Sequence, residues 1–223
     1  INFFDTADSY SNGYGEEILS KSIGKKRNNL IIGTKFGYDF YTSEQGVSIQ
    51  ERPQNFSPSF VRYACEQSLR RLNTDYIDIY QIHHPNLRMM ENDELFEILE
   101  SLINEGKMRH YGYSLSSDTD WSQEWEMFTR ERSPHSVQMV YSILEQEPAI
   151  SIFRIAEDTT TGLLSRAPHA SGILDGTYHV SSPSQPIRDA WIDTRLKKLH
   201  QLDFLTKETD ATLGQVAIQF ALS

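Results

Sequence analysis

Strand-length apolar runs and helix-length amphipathic stretches alternate along this chain, and no other feature restricts its fold so tightly. The strand-like runs fall near 1–5, 30–36, 76–83, 108–115, 136–142 and 162–167. Helical patterns lie at 15–24, 58–72, 93–105, 121–131 and 149–159, with two more across 186–207 and 212–222. Strands separated by single helices require right-handed crossovers and hence a parallel sheet. Six such units point to an α/β fold of the (β/α)8 TIM-barrel kind, in which functional groups stand on the loops after the strands. A doubly wound sheet is the runner-up. Its glycine-rich phosphate turn is missing, because Asn12-Gly13-Tyr14-Gly15 does not follow G-x-G-x-x-G.

Local signals agree with the alternation. Ser57-Pro58 offers a capping hydroxyl and a proline at the first helical position. Phe60, Val61, Ala64, Ser68 and Leu72 then recur at helical steps. Asp93 is expected to start the next helix, Leu95, Phe96, Leu99, Leu102 and Ile103 to form its inner stripe, and Gly106 to end it. No repeat or low-complexity linker divides the chain, so residues 1–223 read as one domain.

With 38% apolar residues in 223, the chain can bury one sizeable core. The net charge of −10 disfavours nucleic acid or an anionic membrane as partner. No run of about 18 apolar residues and no signal-peptide pattern is present. The single cysteine, Cys65, sits in a helical pattern and reads as a buried structural thiol, and the cytoplasm is the expected compartment.

Four polar residues close strand-like runs or follow them directly: Asp5, Tyr10, Lys35 and His83. An ionisable group ending an apolar strand costs burial energy and is seldom placed there for packing alone. Together they make a proton-donating site. Tyrosine has the acidic hydrogen, lysine lowers its pKa, aspartate anchors the lysine, and histidine orients a carbonyl.

Phe3-Phe4-Asp5-Thr6-Ala7-Asp8-Ser9-Tyr10, Thr34-Lys35-Phe36-Gly37 and Asp78-Ile79-Tyr80-Gln81-Ile82-His83 resemble the three catalytic segments of the aldo-keto reductases. The resemblance implies a bound NADPH, or NADH, passing hydride to a small aldehyde or ketone. Tyr10 would donate the proton, Lys35 would lower its pKa from a buried ion pair with Asp5, and His83 would hold the carbonyl oxygen. Gln138 matches the family's carboxamide-binding glutamine. Ser114 matches its serine, whereas Leu115 stands where asparagine is usual and cannot bond an amide by its side chain. In Arg166-Ala167-Pro168-His169-Ala170-Ser171 the register of the family's cofactor turn is kept, with Arg166 in place of the stacking aromatic. His84, Tyr38 and Trp121 are the substrate-side candidates, with Phe40 and Tyr41 nearby. His83-His84 also suggests a metal, but neighbours on a strand face opposite sides, so none is expected.

Six units are two short of eight. The chain opens on what resembles the family's second strand and stops at the helix leading to its last, so a partial sequence is expected. Besides a reductase, a nucleotide-binding regulatory subunit on the same fold, such as a potassium-channel β-subunit, stays open. So do a metal-dependent hydrolase and an inactive fragment.

Overall fold

The computed structural model describes residues 1–42, 52–116, 122–147, 149–178, 186–207 and 210–223. Its strands are β1 (Phe3–Asp5), β2 (Ile31–Phe36), β3 (Ile77–His83), β4 (Met108–Ser114), β5 (Ser136–Val140) and β6 (Gly162–Arg166). They pair in chain order, all parallel, as a curled half-barrel with β1 and β6 at its edges.

The helices are α1 (Tyr14–Ile23), α2 (Pro58–Leu72), α3 (Leu87–Met90), α4 (Asp93–Asn104), α5 (Ser122–Arg132), α6 (Ala149–Thr159), α7 (Pro186–Leu199), α8 (Phe204–Lys207) and α9 (Leu213–Leu222). The pattern expected across 186–207 is broken by a 3-10 turn at His200–Leu202. A 3-10 turn at Gly24–Asn29 and α3 went unsignalled, being too short to show a period.

One cap differs from expectation. Pro58 opens α2, but the Ser57 hydroxyl donates to Asn55 Oδ1 at 2.8 Å, not to the helix. α4 starts at Asp93 as expected, where the aspartate charge suits the helix dipole, and Asn92 before it supplies the cap: its Oδ1 accepts the Glu94 N–H at 3.1 Å.

Period-2 alternation sorts the strand residues onto two faces. On the outer face Ile32, Phe36, Tyr80, Ile82, Tyr113 and Val137 meet Val61, Ala64, Leu95, Leu99 and Leu102 in one core. Phe36 and Tyr80 stack there at 4.5 Å. Each such side chain contributes roughly 1.5–3 kcal/mol by leaving water. A smaller cluster of Ala170, Ile173, Leu174 and Ala217 docks α9 on the loop after β6.

The inner face is polar at its carboxyl end. The register aligns Lys35 with Gln81, His83 with Ser114, and Ser114 with Gln138. Asp5 lies level with Gly33 and Arg166 level with Val140. One side of one sheet therefore carries Asp5, Lys35, Gln81, His83, Ser114, Gln138 and Arg166.

Candidate active site

Lys35 is the pivot of the site. It is 1% exposed, and its ammonium donates to Asp5 Oδ2 at 2.5 Å and to the Thr6 carbonyl at 2.7 Å. The carboxylate stands over a residue without a side chain, since a Cβ at Gly33 would lie 3.1 Å from Asp5 Oδ1. Gln81, fully buried, donates to that same Oδ1 at 2.9 Å. Sequence reasoning passed over Gln81, although it shares the inner face with His83 two residues on. The expected buried ion pair is buried at one end only. Asp5 lies on the edge strand β1, and its side chain keeps 29% of its exposure. Burial lowers the Lys35 pKa, against the upward pull of Asp5.

Tyr10 stands beyond β1 with its ring centre 5.4 Å from Lys35 Nζ and 5.9 Å from the His83 ring, edge-on. The resemblance implies a lowered tyrosine pKa. Here it is raised, first by burial and then by the Asp5 carboxylate, while Arg166 pulls it down. The first cause is physical: a partly buried phenol loses the water that would stabilise its phenolate. His83 is 3% exposed, and burial, then His84, Lys35 and Arg166, hold its pKa well below 6.5. Its imidazole is therefore neutral near pH 7. His83 Nδ1 is buried without a hydrogen-bond partner among the described residues.

His84 overturns the expectation of opposite faces. Its φ is +51°, just past the end of β3, and its ring lies 4.5 Å from that of His83. Alternation stops where the strand stops, and the left-handed backbone brings the ring back. Gln54 Nε2 fixes this turn by donating to the carbonyls of His83 at 3.1 Å and His84 at 2.9 Å. The Tyr38 hydroxyl is 3.0 Å from His84 Nδ1, and its ring stands edge-on to His83 at 5.2 Å. Among the described residues no three His, Cys, Asp or Glu side chains group as a metal site would need. Trp121 lies outside the described residues. Phe40 and Tyr41 stack on each other at 4.1 Å, and the Tyr41 hydroxyl accepts from Arg71.

Of the cofactor candidates, Ser114 Oγ donates to Gln138 Oε1 at 3.0 Å, both residues being buried. Arg166 Nη2 donates to the Leu115 carbonyl at 2.9 Å, so Leu115 takes part through its backbone. Gln138, Arg166, Pro168 and Asp5 line one cavity of about 480 Å³. Beyond it Ala167, Ala170 and Ser171 adopt left-handed φ of 56°, 48° and 58°. His169 ties this loop to α9, with Nδ1 2.9 Å from Asp175 and Nε2 3.2 Å from the Gly214 carbonyl. Burial pushes the Cys65 thiol up to about 12, as suits a structural cysteine.

Asp8 is fully buried, and neither carboxyl oxygen finds a hydrogen-bond partner among the described residues. Burial first, then the Glu16 carboxylate, raises its pKa well above 3.8. A carboxyl raised by folding stabilises fully below its unfolded pKa, and that contribution is lost as pH rises through the folded value. Asp8→Asn cannot lose a proton. Urea midpoints should therefore move in favour of the variant, relative to the parent, as pH rises above about 4. A constant difference across that range would show that Asp8 titrates alike in both states.

Set beside known proteins, residues 1–223 match the model of the "Aldo/keto reductase family". The uncharacterized oxidoreductase YqkF of Bacillus subtilis (strain 168) is 32% identical over 175 residues, covering 78% of this chain and 53% of that protein. The chain thus spans about half of that relative's length. A probable voltage-gated potassium channel subunit beta of Oryza sativa subsp. japonica is 26% identical over 240 residues, covering 100% of this chain and 70% of its own. The holo form of aldo-keto reductase AKR11C1 from Bacillus halodurans superimposes with a TM-score of 0.77 at 31% identity, over 100% of this chain and 68% of that one. Matched from end to end by the family's model, and sharing the fold of a solved member, the chain belongs to the aldo/keto reductase family.

Proposed function

We propose that this site serves an NAD(P)H-dependent oxidoreductase of the cytoplasm that reduces a small aldehyde or ketone to an alcohol. The observation that carries the reading is the meeting of Asp5, Tyr10, Lys35 and His83 at the carboxyl ends of adjacent strands, around one buried ammonium.

A bound nicotinamide supplies the hydride. Gln138, Ser114 and Arg166 would hold it, with the turn of Ala167, Pro168, His169 and Ser171 beside them. Two features support this fit: Gln138 and Arg166 share a cavity with Asp5, and Arg166 Nε is a buried donor with no acceptor among the described residues. NADP is the expected form, with NAD the alternative.

His83 and Tyr10 grip the substrate carbonyl between them. An orphaned buried acceptor costs less than an orphaned donor. The single proton of neutral His83 therefore belongs on Nε2, from which it donates to the carbonyl oxygen. As hydride arrives, that oxygen gains negative charge and takes the Tyr10 proton. The raised pKa keeps Tyr10 protonated at neutral pH, the state a donor needs. Charge developing on the phenolate is met by Lys35, which Asp5 and Gln81 hold in place, and by Arg166. Tyr38 and His84, bonded to each other, form a polar wall for the substrate, with Trp121 the third candidate.

A fluorescence titration with NADPH and with NADH, followed by an aldehyde panel, tests the reading. Saturable binding to one of them and turnover of at least one aldehyde are expected. A folded protein that neither binds nor turns over sinks it. A second reading, a nucleotide-binding regulatory subunit, is favoured by the channel-subunit relative matched along the whole chain. It requires cofactor binding with no turnover of any aldehyde.

A further inference from the structure

Behind the inner face, on the helix side of β2, lies a buried polar cluster that the chemistry above does not use. Thr34 alternates with Lys35 and so faces outward, where its hydroxyl donates to Glu16 Oε1 at 2.6 Å. Glu16, on the first turn of α1, is fully buried, and its Oε2 lies 2.6 Å from Arg71 Nε. Arg71, on the last turn of α2, also donates through Nη2 to the Tyr41 hydroxyl at 3.1 Å and to Ser68 Oγ at 3.3 Å. Asp8 lies within electrostatic reach of both Glu16 and Arg71.

A buried ion pair is a poor way to add stability, because apolar side chains of similar volume do as well. What this pair touches gives it another use. Tyr10 is followed by three consecutive left-handed residues, Ser11 at 49°, Asn12 at 56° and Gly13 at 90°. Such a run persists only where its surroundings over-determine it. Arg71 is that surrounding: a Cβ on Gly13 would stand 2.6 Å from its Cδ and 2.8 Å from its Nε. The same turn closes through Gly15 N–H to the Tyr10 carbonyl at 3.3 Å and Glu16 N–H to the Gly13 carbonyl at 3.1 Å. Glu16 thus joins the end of the Tyr10 loop to β2 on one side and to α2 on the other.

We propose that the Thr34–Glu16–Arg71 cluster is a positioning device that holds the Tyr10 loop, and with it the phenol, in register with Lys35 and His83. The kinetic consequence rests on the reductase reading; the structural one does not. A displacement of about 1 Å at a reacting group costs on the order of a hundredfold in rate.

The test compares the full chain with the charge-free double variant Glu16→Gln/Arg71→Met and with Arg71→Lys, by thermal unfolding, amide hydrogen exchange and kinetics. In the folded double variant, amides of residues 9–16 should exchange at least about tenfold faster while those of β3 and β4 do not change. With 4-nitrobenzaldehyde as probe, kcat should fall about a hundredfold while the Kd for NADPH stays within about threefold. Arg71→Lys should recover part of both losses, and is the variant to read if the double one does not fold. Unchanged exchange across 9–16 in a folded variant overturns the proposal, whether or not the parent shows turnover. Faster exchange with an undiminished kcat overturns its link to Tyr10.

Discussion

Tyr10→Phe should abolish carbonyl reduction and leave the Kd for NADPH within about threefold. Phenylalanine keeps the ring, its edge contact with His83 and its place in the loop, and removes the O–H alone. Asp5, Lys35 and His83 take no hydrogen bond from the hydroxyl, so the substitution leaves no buried partner orphaned among them. What disappears is the proton that the developing alkoxide needs. Losing a positioned general acid typically costs about 10²- to 10⁴-fold in rate. Single-turnover oxidation of NADPH with 4-nitrobenzaldehyde reads this directly, separated from cofactor binding. A rate within about tenfold of the parent would remove Tyr10 as the acid and move attention to His83, the other ring on the carbonyl.

Lys35→Met should slow reduction by a further-reaching route. Methionine is close to lysine in length and fills the space, but the charge goes. The Asp5 carboxylate, already acting to raise the Tyr10 pKa, then loses the ammonium bonded to it. The phenolate left behind by proton transfer loses the ammonium 5.4 Å from its ring centre. We expect kcat to drop by about two to four orders of magnitude, and the limb of the pH–rate profile set by Tyr10 to move to higher pH. Removing one partner of a buried ion pair can cost about 3–5 kcal/mol, but Asp5 keeps part of its hydration and its bond from Gln81, so the loss of stability should be smaller. An unchanged pH profile in a variant that still turns over would deny Lys35 its tuning role.

Asp5, Lys35 and His83 were legible because each breaks a pattern: an ionisable side chain closes an apolar run of strand length. Their presence on one inner face then follows from period-2 geometry and a parallel register, both nearly dictated by the alternation of strands and helices. The same geometry made Gln81 readable in principle. It went unseen because an amide in a strand raises no alarm until its partner, the free oxygen of Asp5, is known. Ser57 shows the limit of local signals: it stands at the expected N-cap position, but the neighbouring Asn55 takes its hydroxyl.

By itself the sequence determined the class of fold, the order of its strands and the candidates for the reacting groups, since these follow from short-range periodicity and from which residues close each strand. Tertiary structure alone decided the electrostatic balance and the fine placement. The pKa of Tyr10 moves up because burial and Asp5 outweigh Arg166, a sum over distances that no spacing encodes. His84 joins His83 because one left-handed residue ends the alternation. Arg71, 61 positions beyond Tyr10, braces its loop because α2 packs beside α1. Contacts between segments distant in the chain depend on where the folded backbone carries them, and local sequence preference has no term for that distance.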